Sequence, residues 1–167
     1  LLAAEALLRR AAALKIPFVL KGSLLTRQYI SSLEARWAED IDLLCMERFT
    51  EPDKAHQAFS YWMREVTETT ASHDGVRFRS FAENDFWRGI DYAMADDFPT
   101  VNTDLAYWFV AEGKDDYEEL SLDISFHLDM PVAPVPLQYR PLLGEPFAVP
   151  YTVPLSVQVA WKLHQTI

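Results

Sequence analysis

Leu120, Leu122, Ile124, Phe126 and Leu128 occupy every second position of one unbroken run. Successive side chains of an extended chain point to opposite faces, so these five form one apolar stripe and the residues between them a separate surface. Such a stripe is stable only on a strand whose one face lies on a core. The rest of the chain must therefore supply partner strands and a layer to cover them. Half of the residues are apolar and 13% are aromatic, enough for a sizeable core.

The remaining periodicities supply these parts. Residues 1–15, rich in Ala and Leu, predict a helix that Pro17 ends. Glu5, Arg9 and Arg10 interrupt its apolar run, which favours an amphipathic helix over a signal-peptide core. Phe18 to Leu20 predict a short strand, and a second helical stretch follows Lys21-Gly22-Ser23 to about Ser31. Glu39 to Met46 predict another strand. Thr50 is the expected cap of a helix with Pro52 in its first turn, carrying Ala55, Phe59, Met63 and Val66 at helical spacing.

The second half is more β-like. Strands are expected at Val76 to Phe81, Leu105 to Ala111 and Tyr117 to Leu128, the last two joined as a hairpin by the turn at 112–116. Residues 84–103 show no clear period. Residues 131–154 hold seven prolines and predict an extended connector. Leu155, Val159 and Leu163 space a final helix. Alternating helices and strands followed by strands predict one mixed α/β (α+β) domain over 1–154, with 155–167 as the start of a truncated C-terminal helical region. The sequence starts without Met and stops inside that helix, so we expect it to belong to a longer chain.

Composition narrows the setting. No run of 18 apolar residues is present, so no membrane span is expected. The single cysteine, Cys45, cannot form a disulfide within one chain and fits a reducing cytoplasm. A net charge of -10 opposes broad, nonspecific binding to nucleic acid.

The chemistry concentrates at Asp40-Ile41-Asp42. On a strand the two aspartates share a face, about 6.6 Å apart at their backbones, while Ile41, Leu43 and Cys45 point to the core. Carboxylates this close repel unless a cation lies between them, and two magnesium ions about 3.5–4 Å apart are bridged by such groups. Asp123 stands opposite the apolar stripe of its own strand, between Ser121 and Ser125. If the two strands are neighbours, three carboxylates converge, and phosphoryl or nucleotidyl transfer is the reaction they serve. Alternating aspartates also mark the solvated face of a half-buried sheet, and from the residues alone both readings stand.

Lys21-Gly22-Ser23 lies upstream, after a strand and before a helix. Glycine allows a backbone to approach a phosphate, although a turn with a helix cap is the commoner meaning of Gly-Ser. His56, His73, His127 and His164 show no metal-ligand spacing. Arg77 and Arg79 share a strand face open either to solvent or to a nucleic-acid phosphate.

The order of these motifs resembles the AbiEii/AbiGii-type toxin branch of the DNA polymerase beta nucleotidyltransferase superfamily. The shared pattern is Lys21-Gly22-Ser23, Arg36 four residues before Asp40-Ile41-Asp42, LSLDISF around Asp123, and Lys162 in VQVAWKL. Ser23 replaces a second glycine, and Ser156, Val157 and Gln158 stand where glutamates usually precede the lysine.

The resemblance implies a nucleotidyltransferase-type mixed sheet flanked by helices. It implies that Asp40 and Asp42 bind two Mg2+ ions (Mn2+ being the alternative), and that Asp123 completes the metal site and helps deprotonate the acceptor. Gly22 and Ser23 would hold phosphates, and Lys21, Arg36 and Lys162 would neutralise the charge of an NTP. The acceptor would be an RNA hydroxyl, such as a tRNA 3′ end, and the protein a toxin paired with a cognate antitoxin. A transferase acting on an antibiotic or metabolite, or a catalytically dead binding module of the same fold, are the alternative expectations.

Overall fold

The computed structural model describes residues 1–29, 40–70, 74–90, 100–126 and 132–166, without the side chains of residues 52, 90 and 161–166. Its elements, in chain order, are α1 (Leu2–Ala13), β1 (Phe18–Lys21), α2 (Ser23–Tyr29), β2 (Asp40–Cys45), α3 (Pro52–Glu68), β3 (Val76–Phe78), β4 (Arg88–Ile90), β5 (Thr100–Phe109), β6 (Glu118–Ser125), β7 (Val135–Tyr139), β8 (Phe147–Thr152) and α4 (Leu155–Thr166). Short 3-10 turns cover Phe81–Glu83 and Lys114–Asp116.

The strands form one eight-stranded sheet in the order β3-β5-β6-β2-β1-β8-β7, with β4 also paired to β5. The β2–β6 and β1–β8 pairs are parallel and the others antiparallel. This is the mixed α/β sheet that the motif order predicts, and the β5–β6 hairpin forms around the 3-10 turn at Lys114–Asp116.

The core lies on the sheet face that carries Ile41, Leu43, Leu122 and Ile124, all at most 1% exposed. Each such side chain contributes about 1.5–3 kcal/mol by leaving water. Helices α1 and α3 bring Leu7, Leu8, Phe59, Met63 and Val66 into the same buried cluster. Phe59 is a hub: its ring lies 5.5 Å from Phe126, 5.7 Å from Trp87 and 5.8 Å from Phe49, all edge-on. Arg10, also buried, donates to the carbonyls of Ala6, Thr69 and Val76 and pairs with Asp74, tying α1 to the end of α3 and the start of β3. Burial lowers its pKa and the pairing with Asp74 opposes that shift, so the guanidinium keeps a partner for its charge.

Several boundaries differ from expectation. Glu51, not Thr50, occupies the cap position of α3, and it makes no side-chain cap bond. β5 starts at Thr100, inside the stretch that had no clear period, and β4 lies in that stretch as well. The expected connector over 131–154 contains the hairpin of β7 and β8. Its prolines are tolerated because β7 is the last strand of the sheet and β8 meets β1 only at Leu20–Thr152. Pro136 falls at the register shift between Val135 and Leu137.

Candidate active site

Directly opposite residues on neighbouring strands present their side chains on the same face. The register pairs Lys21 with Asp42, Asp42 with Asp123, Asp123 with Asn102 and Asn102 with Arg88. Five polar residues thus form one row across β1, β2, β6, β5 and β4, on the face away from Ile41 and Leu122. A second row, one pleat away, pairs Asp40 with Ser121 and Ser121 with Asp104. Asp40, Asp42 and Asp123 therefore lie on one side of the sheet.

Parallel pairing of β2 with β6 puts the carboxylates of Asp42 and Asp123 next to each other. The Asp42 carboxyl is pushed up to about 6: burial contributes most, and the bond and charge of Asp123 and the charge of Asp40 add to it, against the pull of Lys21. Burial likewise lowers the pKa of the Lys21 ammonium, against the attraction of Asp42 and Asp123. Among the described residues, no group of three His, Cys, Asp or Glu side chains is placed to hold a metal ion together. Asp40 is exposed at the first position of β2, and Asp123 is turned toward Asn102.

The amide nitrogen of Asn102 donates to Oδ1 of Asp123 at 2.6 Å and lies 2.9 Å from Ser121 Oγ. The other end of that amide accepts from Arg88, whose Nε is 3.0 Å from Asn102 Oδ1. Arg88 also reaches Asp104 at 2.8 Å. Asn102 and Arg88 escaped the sequence reading because they stand in the stretch without a period. Extending β5 to Thr100 reveals Asn102 opposite Asp123, and Arg88 follows only once β4 is recognised beside β5.

Gly22 closes the row at its β1 end. It has φ +80, and a Cβ built there would land on the carboxylate of Asp42. Only glycine satisfies both conditions. Its N–H donates to Gln158 Oε1 at 3.2 Å, and its carbonyl accepts from Gln158 Nε2 at 2.8 Å. Ser23 is exposed at the start of α2. Arg36 and His127 lie outside the described residues. Lys162 stands on α4, one turn beyond Gln158, and its side chain is outside the description. Cys45 is buried, and burial pushes its thiol up to about 12, so it is an inert core group.

A mixed sheet with aspartates on one face of its parallel central strands, and a glycine turn laid against them, makes this an α/β domain of the nucleotidyltransferase type. The chain belongs to the AbiEii toxin family: the family described as Nucleotidyl transferase AbiEii toxin, Type IV TA system, matches residues 6–165. A crystal structure from H. pylori, described provisionally as a nucleotidyltransferase, is similar with a TM-score of 0.49 and 18% identity. That likeness covers 95% of this chain and 54% of the other, so the chain spans about half of that protein's length. No curated protein matches the chain. No helix among the described residues is long and apolar enough to cross a membrane.

Proposed function

We propose that this protein transfers a nucleoside monophosphate from an NTP to a hydroxyl of RNA, such as a tRNA 3′ end, with release of pyrophosphate, as the toxin of a pair with a cognate antitoxin. The observation that carries the reading is the row Lys21–Asp42–Asp123–Asn102–Arg88. Family membership supports the reaction class.

The donor chemistry suits a hard divalent cation, and Asp40 and Asp123 would have to turn further toward Asp42 for the three carboxylates to share one. The donor set consists of carboxylate oxygens, with Asp42 and Asp123 adjacent and the Gly22 turn packed directly against the Asp42 carboxylate. Asp40, Asp42 and Asp123 would hold Mg2+, with Mn2+ as the alternative. When bound, such ions supply charge neutralisation at the triphosphate and activation of the acceptor oxygen. The chain's own groups do the rest. Lys21 holds a partly buried ammonium beside the carboxylates, where it would meet phosphate charge. Gly22 lets the turn lie against the Asp42 carboxylate, where the phosphates would be received, and Ser23 offers a hydroxyl. Asn102 holds Asp123 in the rotamer that faces the row. Arg36 and Lys162 complete the proposed contacts to the triphosphate.

Incubation with each α-labelled NTP, magnesium and total RNA tests the proposal. Label in an RNA band, lost in Asp42→Asn, is the expected result. No label in RNA with any of the four NTPs would overturn it, and label in a small molecule would move the acceptor to the metabolite or antibiotic class.

A further inference from the structure

β1 and β8 run parallel and meet at Leu20–Thr152, where Val153 donates to the Leu20 carbonyl at 3.0 Å. The two strands thus end level with each other, and the helices that follow them, α2 and α4, start side by side. Pro154 opens the second: its carbonyl accepts from the N–H groups of Val157 and Gln158 at 3.0 and 3.1 Å. This first turn aims Gln158 at the Gly22 turn.

The side chain of Gln158 is 8% exposed and fully engaged. Its oxygen accepts from Gly22 N–H at 3.2 Å, and its nitrogen donates to Gly22 O at 2.8 Å and to Thr26 Oγ1 at 2.7 Å. Thr26 Oγ1 in turn donates to Gly22 O at 3.2 Å. One amide therefore grips both polar groups of a single glycine, across 136 residues of sequence. Gly22 lacks a side chain and sits at a positive φ, so nothing of its own restrains its two flanking peptide planes. The grip supplies that restraint. It also uses up the Gly22 N–H, so this amide is not a donor to a ligand.

We propose that Gln158 is a positioning residue: it acts through Gly22, holding the turn against Asp42 in the shape that receives the triphosphate and locking α4 to it. The inference rests on the reading of that turn as the phosphate-binding part of the site. Displacing groups that position a substrate by about 1 Å can cost on the order of a hundredfold.

Gln158→Met keeps the volume and removes all three hydrogen bonds. Gln158→Asn keeps an amide that is one methylene too short to reach. Thr26→Ala removes one of the three Gln158 hydrogen bonds and the Thr26 bond to Gly22, and keeps both direct bonds between Gln158 and Gly22. Steady-state transfer with the NTP that labels RNA is compared across the four proteins, beside thermal unfolding and exchange of the Gly22 amide proton. We expect KM for the NTP to rise about tenfold or more in Gln158→Met with a much smaller change in kcat, the pattern of lost substrate binding. The Gly22 amide should exchange faster in the same variant. Gln158→Asn should share the rise in KM, and it serves alone if Gln158→Met does not fold. Thr26→Ala should stay within about twofold of the parent. Parent-like KM in a folded Gln158 variant would overturn the proposal while leaving the transferase reading intact, as would a Thr26→Ala rise equal to that of Gln158→Met. A parent that transfers no nucleotide would overturn the reading and the proposal together.

Discussion

Gly22 lies so close to Asp42 that a single added carbon would collide with the carboxylate. The turn and the acidic strand are thus fitted to each other at van der Waals range, and neither can change shape alone. Gly22→Ala should be destabilising by about 1–2 kcal/mol through its positive φ, and should lose most transfer activity because Asp42 must rotate away. Thermal unfolding and the labelled-NTP assay measure the two effects separately. An alanine variant with full activity would show that the turn does not touch the reacting groups.

Asp42 gives a prediction with a definite sign. In the metal-free protein its folded pKa is about 6, against an ordinary value of 3.8. Between these values the folded state binds more protons than the unfolded state, so stability falls as pH rises through this window. Above pH 6 the full loss is on the order of 1–2 kcal/mol after allowance for solvent screening. Asp42→Asn should abolish transfer, remove this pH dependence and unfold at a higher temperature than the parent at pH 8 in chelator. A parent whose stability rises between pH 4 and 6 by the same amount as the variant's would contradict the assignment.

Asn102→Ala should release Asp123 from its held rotamer without emptying the core. Groups that orient metal-binding side chains typically cost about 10–100-fold in metal affinity or activity when removed. Manganese titration and the transfer assay should both show a loss in that range. Arg88→Ala, one step further out in the row, should show a smaller loss of the same kind.

Phe59→Ala addresses the fold rather than the chemistry. The ring fills the space among Phe49, Trp87 and Phe126, and its removal should cost about 3–5 kcal/mol in chemical denaturation. A cost below 1 kcal/mol would mean that the aromatic cluster closes over the gap.

The carboxylate strand was legible because it depends on parity alone. Asp40 and Asp42 against Ile41 and Leu43 can be read from one strand, as can Asp123 against Leu122 and Ile124. What pairs with what depends on register, which no single strand contains. Asn102 and Arg88 stayed hidden for that reason, and because TVNTD places small polar residues on both faces where β5 begins. β7 and β8 stayed hidden behind prolines that an interior strand would not accept. Gln158 could be read as helical from its neighbours, but its target is 136 residues away. The family pattern supplied the motif order; the register shows which side chains stand together.

The parallel pairing of β2 with β6 also bears on how the protein is made. Asp42 and Asp123 are 81 positions apart (123 − 42), and a parallel pair cannot be closed by a short turn. Contacts this distant in sequence form slowly, after the long intervening loop has been closed. A growing chain that has already emerged from the ribosome through α3 carries Asp40 and Asp42 with no Asp123 beside them. The grip of Gln158 on Gly22 comes later still. The acidic row is therefore a late product of synthesis, and a chain released early is chemically incomplete at its centre.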